Sequence, residues 1–397
     1  MRKLLIFGSL TYVLWSCGED ELAEKSSGFE AELVWLDSVV VDSFIDLTLA
    51  AVDPEDGRMI FKDRSLNHIL LTDLKGEILD TLELKGEAPD QVSLPVEMVF
   101  DEGGLIVKDL EAGMPLNFFN KDFKKVKKSP SLALGLSFLE INPYWVSFSP
   151  IQKEGKILLV GMEGNGVDPE LMTESWKKAE FYDQAKAGFV YDPELDSLWR
   201  FNSFPENWEY RKTREWKGYV FPFVQALGEE ELIGVLPRVG NQFFLYRWEN
   251  QELIPVKETL LSHPDRNDRL DYDSNDDYFL YPSFSDLKAG GHYFLIQFHT
   301  EIPVAVRDEY KARIPDYRNN PEFNEAFQKY WKYKYLLVNQ FGESYPLRNL
   351  PIEGTVHHLD KNDVLYIKPK SEVEKDNNVF YRYQILGKTE EKRTQIK

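Results

Sequence analysis

The sequence predicts an all-β chain: a six-bladed β-propeller built from four-stranded antiparallel blades. Three observations carry this. A unit of strand-length apolar segments, separated by turns rich in Gly and Asp, recurs six times between residues 47 and 386. The last unit is one strand short, while a spare strand-length segment, AELVWLDSVVV at 31–41, precedes the first. No low-complexity linker divides residues 29–387, so the units read as one domain, with two β-sandwich domains or a seven-bladed ring as the competing readings. Deficit and surplus answer each other if the N-terminal strand completes the last blade, which leaves no open sheet edge where the ring closes.

The first unit starts with an apolar run at 47–52 and the turn Asp53-Pro54-Glu55-Asp56-Gly57. RMIFKD (58–63), NHILLTD (67–73) and EILDTLEL (77–84) follow. The second comprises VEMVFD (96–101), LIVKD (105–109), PLNFFNKD (115–122) and KKVKK (124–128), and repeats Lys62-Asp63 as Lys108-Asp109. The third, fourth and fifth keep the skeleton more loosely. Their first strands are expected at 144–148, 220–227 and 278–284, and their second strands at 156–161, 232–237 and 292–299. The sixth has strands at 355–359, 364–369 and 379–386, followed by a charged tail at 388–397.

Two stretches break this rhythm. Residues 162–186 and 300–333 each fall between the second and third strands of a blade, the third and the fifth. Both carry helix-start signals, Asp168-Pro169 and Asn320-Pro321, with N-cap followed by proline at N1. Because both join the same pair of strands, alternation puts them on one rim of the ring. Loops on a rigid scaffold are where binding groups concentrate.

The first unit also resembles a blade of the NHL-type six-bladed propellers. The residues that carry this are Asp53-Pro54-Glu55-Asp56-Gly57, Lys62-Asp63, Asn67-His68-Ile69, Asp73-Leu74-Lys75-Gly76 and Lys85-Gly86-Glu87-Ala88-Pro89-Asp90. The chain as a whole is similar to a family of exported bacterial lipoproteins with six-bladed propellers, whose function is unknown. That resemblance implies a fold and an address, and no activity.

The address rests on the N-terminus. MRKLLIFGSLTYVLWS places two basic residues before a short apolar run and leads to Cys17, the only cysteine in the chain. This segment resembles a bacterial lipoprotein signal, with Leu14-Trp15-Ser16-Cys17 as its lipobox. The resemblance implies removal of residues 1–16, and acyl chains, palmitate among them, on Cys17. The membrane is then a partner through that lipid, since two or more chains anchor a protein stably. Residues 17–28 read as a flexible acidic tether. Gly18-Glu19-Asp20-Glu21 looks like the export signal of lipoproteins that face the cell surface from the outer membrane; a periplasm-facing anchor is the alternative. With Cys17 acylated, the mature chain has no thiol for a disulfide or a Cys-ligated metal.

Charge narrows the partners further. The formal net charge is −20, which disfavours nucleic acid and anionic headgroups. The second insertion is locally basic and aromatic, and Arg307, Tyr310, Arg313, Tyr317 and Trp331 are candidate ligand contacts through charge pairing and ring stacking. Trp176 in the first insertion joins them. Phe323, Phe327 and Tyr330 stand at helical spacing and fit a stripe that packs on the blade. His357 and His358 lie on an inner-strand candidate, so alternation sends one toward the central channel and one into blade packing. Asp271, Asp273, Asn275 and Asp277 begin like a calcium loop but lack its Gly and Glu positions, and calcium is the one cofactor to test. No nucleophile elbow, phosphate loop or paired-histidine metal motif is present in the sequence. The expected function is recognition of a glycan, peptide or envelope protein. The alternative is a hydrolase or lyase acting at the mouth of the channel.

Overall fold

A computed structural model describes residues 30–135, 142–173, 180–266, 281–347, 349–370 and 376–387. Six four-stranded antiparallel sheets form the predicted ring. Blade one is β2 (Leu47–Asp53), β3 (Arg58–Asp63), β4 (Ile69–Asp73) and β5 (Ile78–Thr81). Blade two is β6 (Pro95–Asp101), β7 (Gly104–Asp109), β8 (Leu116–Asn120) and β9 (Lys125–Lys128). Blade three is β10 (Phe148–Lys153), β11 (Lys156–Met162), β12 (Gly188–Asp192) and β13 (Ser197–Phe201). Blade four is β14 (Phe223–Leu227), β15 (Leu232–Leu236), β16 (Gln242–Glu249) and β17 (Glu252–Leu260). Blade five is β18 (Phe284–Ala289), β19 (Tyr293–His299), β20 (Tyr333–Asn339) and β21 (Ser344–Leu347). Blade six is β22 (Gly354–Leu359), β23 (Val364–Pro369), β24 (Asn378–Gly387) and, from the other end of the chain, β1 (Ala31–Val41).

The closure is built as expected. β1 pairs with β24 from Ala31↔Gly387 to Val41↔Asn378. Asp37 accepts from the Arg382 guanidinium, which lowers the carboxyl's pKa, while Val39 and Val41 are fully buried between blades six and one. Asn378 ties the link to blade one: its Oδ1 accepts from the Leu47 N–H (2.9 Å), and its Nδ2 donates to the carbonyls of Ser43 (2.9 Å) and Ile45 (2.8 Å).

The turns explain the repeat visible in the sequence. Asp53, Asp73, Asp101, Asn120, Asp192, Asn339 and Asp360 each end a strand, or in the case of Asp360 directly follow one, and accept two backbone N–H groups from the turn that follows. Such side chains replace backbone partners that a tight turn cannot supply. All seven occupy first-to-second or third-to-fourth strand turns, hence one rim of the ring, the turn rim. The second-to-third connections and the links between blades stand on the opposite rim.

Both insertions stand there, on the insertion rim. Asp168 and Asn320 cap their helices as expected, accepting from the N–H groups of Glu170 (3.0 Å) and Glu322 (2.9 Å). The second insertion builds a small core of its own from α1 (Val304–Arg313) and α2 (Pro321–Tyr330) around Ile302, Tyr317 and Phe323. The Phe323 stripe therefore packs against α1 and not, as expected, on the blade.

Two strand positions differ from the sequence reading. In blade three the inner strand begins at Phe148, after the apolar run 144–148. In blade five it spans Phe284–Ala289, after the expected 278–284. A bulge also interrupts four inner strands, at Ala50, Val96, Ser285 and His357, where the strands converge on the axis.

Candidate functional site

The inner strands enclose a cavity of about 440 Å³ on the axis, reached from the turn rim. Its walls are residues of all six inner strands, in most blades their C-terminal halves, and the turns that follow them. At the other end the channel is closed by residues 144–147, which cross it. The Tyr144 ring lies 4.8 Å from His357 of blade six, and its carbonyl accepts from Lys288 Nζ of blade five (2.7 Å). Trp145 packs 5.3 Å from Phe223 of blade four, under the Arg238 guanidinium. The Val146 carbonyl accepts from Gln225 Nε2, and the Ser147 N–H and hydroxyl donate to Glu97 Oε2 of blade two (2.6 and 2.8 Å). This short strap thus touches four blades besides its own. Val146 and Gln225 line both the large cavity and a smaller one of about 90 Å³ on the insertion side, so they form the partition.

The large cavity is graded in polarity. Ala51, Val99, Val146 and Leu287 make much of its depth apolar. Ser149 and Gln225 are polar but bonded to each other. The mouth carries seven carboxylates (Asp53, Glu55, Asp56, Asp101, Glu102, Glu229, Asp360), and the cavity three lysines: Lys121, Lys288, which lies deeper against the strap, and Lys361. Each lysine is already paired, to Asp56 (2.9 Å), Asp286 (2.8 Å) and Glu55 (2.6 Å) respectively. Among the described residues Asp101, Glu102, Glu229 and Asp360 have no ion-pair partner. Burial pushes the carboxyl pKa values of Asp101 and Asp360 up. The mouth is a negative field of modest strength.

His357 and His358 both line this cavity. The alternation expected of them fails because the bulge at His357 shifts the register between Val356 and His358. His357 accepts from the Leu49 N–H at Nδ1 (3.2 Å), which leaves Nε2 as the protonated nitrogen of a neutral ring. Loss of hydration, with the charges of Lys368 and Lys288, holds its pKa well below the usual value. Loss of hydration and Lys288 lower His358 to about 3. Both imidazoles are neutral at physiological pH, and neither is matched to general-base work near pH 7.

The smaller cavity borders a buried ion cluster. Lys108 Nζ meets Glu163 Oε2 at 2.7 Å, Glu97 Oε1 at 3.3 Å and Ser147 Oγ at 2.8 Å. Burial alone would lower the lysine's pKa, but the two carboxylates outweigh it and raise the value; in turn Lys108 and Asn165 hold Glu163 low against its own burial. Lys108 is the fifth residue of β7, and the fifth residues of β3 and β23 are also lysines, Lys62 and Lys368. Each reaches into the next blade: Lys62 to the Val96 carbonyl, Lys368 to that of Leu47 (2.7 Å). Among the described residues Lys62 has no carboxylate at ion-pair distance, and burial lowers its pKa to about 8.

The other residues singled out by sequence lie on the insertion rim or beyond the described chain. Tyr317 is buried in the small core of the second insertion, and Tyr310 packs against it. Arg313 pairs with Glu322 (2.7 Å) and Arg307 with Asp308 (2.9 Å). Trp331 stacks between Phe327 (5.4 Å) and His299 (4.9 Å). Cys17, Trp176 and the acidic loop of Asp271, Asp273, Asn275 and Asp277 lie outside the described residues. Among the described residues no group of three or more His, Cys, Asp or Glu side chains could hold a metal, and no helix is long and apolar enough to cross a membrane. Sequence reasoning missed the carboxylate mouth and the strap: the first reads as ordinary turns, the second as a strand.

No family model and no curated protein matches this chain. Solved structures do. A member of the DUF4221 family from Bacteroides vulgatus aligns at TM-score 0.54 with 10% identity, covering 90% of this chain and 99% of that one. A Bacteroides fragilis protein predicted to be exported aligns at TM-score 0.49 with 12% identity, covering 91% and 96%. A protein of unknown function from Bacteroides thetaiotaomicron aligns at TM-score 0.45 with 5% identity, covering 90% and 77%. At such identities the likeness is one of fold.

Proposed function

We propose that this chain is an exported, lipid-anchored envelope protein that binds a small neutral or cationic ligand, a short glycan or the end of a peptide, in the closed-ended axial cavity. One observation carries the reading: about 440 Å³ of partly apolar space, sealed below by the strap and rimmed by unpaired carboxylates. Small-molecule sites typically occupy about 300–1,000 Å³ and combine apolar walls with a few convergent polar groups. The excess of carboxylates at the mouth disfavours anionic ligands. A thermal-shift panel of neutral, cationic and anionic small molecules tests it. Neutral or cationic compounds are expected to stabilise the wild type, and Ala289→Trp, which fills the half-buried cavity wall, is expected to lose that response. Stabilisation by anions alone, or a response unchanged in Ala289→Trp, would contradict the reading.

A second reading, a hydrolase or lyase in the same cavity, draws on the convergence of His357, His358 and Asp360. The low histidine pKa values and the structural use of Asp360 Oδ1 as a turn cap weigh against it.

For the anchor, Cys17→Ala is expected to move the protein from the membrane fraction to the soluble fraction. Retention in the membrane fraction would reveal another attachment. β1 begins on the turn rim, because Ala31 pairs with Gly387 and the β24 residue Gln384 bonds the Asn362 carbonyl in a turn of that rim. Residues 18–29 span at most about 40 Å when extended. A lipid on Cys17 would therefore hold the cavity mouth close to the membrane.

A further inference from the structure

We infer that His357 and His358 are the recognition pair of the cavity, and that they take an uncharged, hydroxyl-bearing ligand, a sugar ring, in preference to an amine or an acid. This rests on the cavity reading above and narrows its ligand class.

Most polar side chains deep in the cavity are committed to partners within the protein. The Ser149 hydroxyl donates to Gln225 Oε1 and accepts from the Ala226 N–H, while Gln225 Nε2 donates to the strap. Lys288 is held by Asp286 and the Tyr144 carbonyl. Asp360 accepts from two backbone N–H groups and the Tyr366 hydroxyl (3.2 Å). His357 uses only Nδ1, and His358 makes no hydrogen bond with any described residue. Both residues line the cavity, and among the described residues their remaining ring nitrogens have no hydrogen-bond partner. Three imidazole nitrogens therefore await partners in a space where unpaired polar groups are costly.

Their chemistry selects the ligand. A neutral imidazole offers one donor and one acceptor. His357 presents a donor at Nε2, and His358 presents one of each. Neighbouring hydroxyls of a sugar also both donate and accept, and satisfy such a set completely. An ammonium only donates, so it leaves the His357 N–H unpaired and meets the positive charge of Lys288, which already acts on both rings. A carboxylate must pass the surplus of acids at the mouth. The rings are also fixed: His357 sits edge-on between Tyr144 (4.8 Å) and Phe380 (5.1 Å), and His358 against Tyr366 (6.1 Å). Held rings lose little entropy on binding.

The test is calorimetric titration of the full chain with a panel of neutral disaccharides built from glucose, galactose and mannose, with cadaverine and galacturonate as the charged arms. At least one disaccharide is expected to bind in the millimolar range or tighter, and more tightly than either charged probe. His358→Phe keeps a ring but removes both nitrogens, and breaks no bond within the protein; it should weaken that disaccharide at least tenfold. His358→Gln restores a donor and an acceptor and should recover most of the loss. Unchanged sugar binding in His358→Phe, preference for cadaverine or galacturonate, or no binding of any disaccharide overturns the inference. If Ala289→Trp abolishes sugar binding while His358→Phe does not, the cavity reading stands and the histidine assignment falls. If sugar binding survives Ala289→Trp, the cavity reading falls as well.

Discussion

Removing residues 30–42 is expected to abolish the cooperative folded state. β1 supplies the outer strand of blade six and hydrogen-bonds along nearly the whole of β24. Its Val39 and Val41 are fully buried with Leu47, Phe61 and Phe380, so the loss reaches the core between the last blade and the first. The truncated chain would expose the edge of β24, leave Arg382 without Asp37, and open a ring whose blades stabilise one another only as neighbours. Thermal unfolding followed by circular dichroism, with gel filtration, should show no single sharp transition and a tendency to associate. A truncated chain that melts sharply near the wild-type temperature would mean that closure is dispensable.

The second large effect is a contrast between two lysines at one blade position. Lys108→Met strands Glu97 and Glu163 in a buried site without their shared cation, and breaking such a cluster typically costs about 3–5 kcal/mol. Lys62→Met removes a buried charge that, among the described residues, lacks a carboxylate at ion-pair distance. The drop of its pKa from 10.5 to about 8 corresponds to roughly 3 kcal/mol of penalty on the charged folded form. Losing the bond to the Val96 carbonyl offsets part of that, so a net gain of about 1–3 kcal/mol is expected. The sign with pH follows from proton counts. Between about pH 8 and 10.5 the unfolded lysine holds its proton and the folded one does not, so wild-type stability rises with pH there. The advantage of Lys62→Met should be full below pH 8 and fade toward pH 10.5. Urea unfolding at several pH values measures both variants. A destabilised Lys62→Met at pH 7, or a neutral Lys108→Met, would refute this account of the pair.

The blades were legible because most inner and middle strands are apolar and buried on both faces, and seven of the turns carry an Asp or Asn that caps backbone N–H groups. The ring closure was legible from arithmetic alone, one strand missing at the end and one extra at the start. Reading failed where apolarity had another cause. Tyr144, Trp145 and Val146 look like a strand, but they are hydrophobic because they plug the channel. Ser285, Asp286 and Lys288 make half of the inner strand of blade five polar, and Asp286 and Lys288 pair with each other beside the axis. His357 broke the period-two expectation through a bulge, which no pattern in the residues announces. A central channel was expected, but its closed end and its lining were not legible, since the lining comes from the inner strands and turns of all six blades, joined only by the closed ring.

The most direct measurement is a crystal structure of the chain with the panel compound that stabilises it most. Density for that compound should lie on the axis above the 144–147 strap, within hydrogen-bond distance of His357 Nε2 or His358. Density on the insertion rim, among Arg307, Arg313 and Trp331, with the axial cavity holding only solvent, would contradict the account.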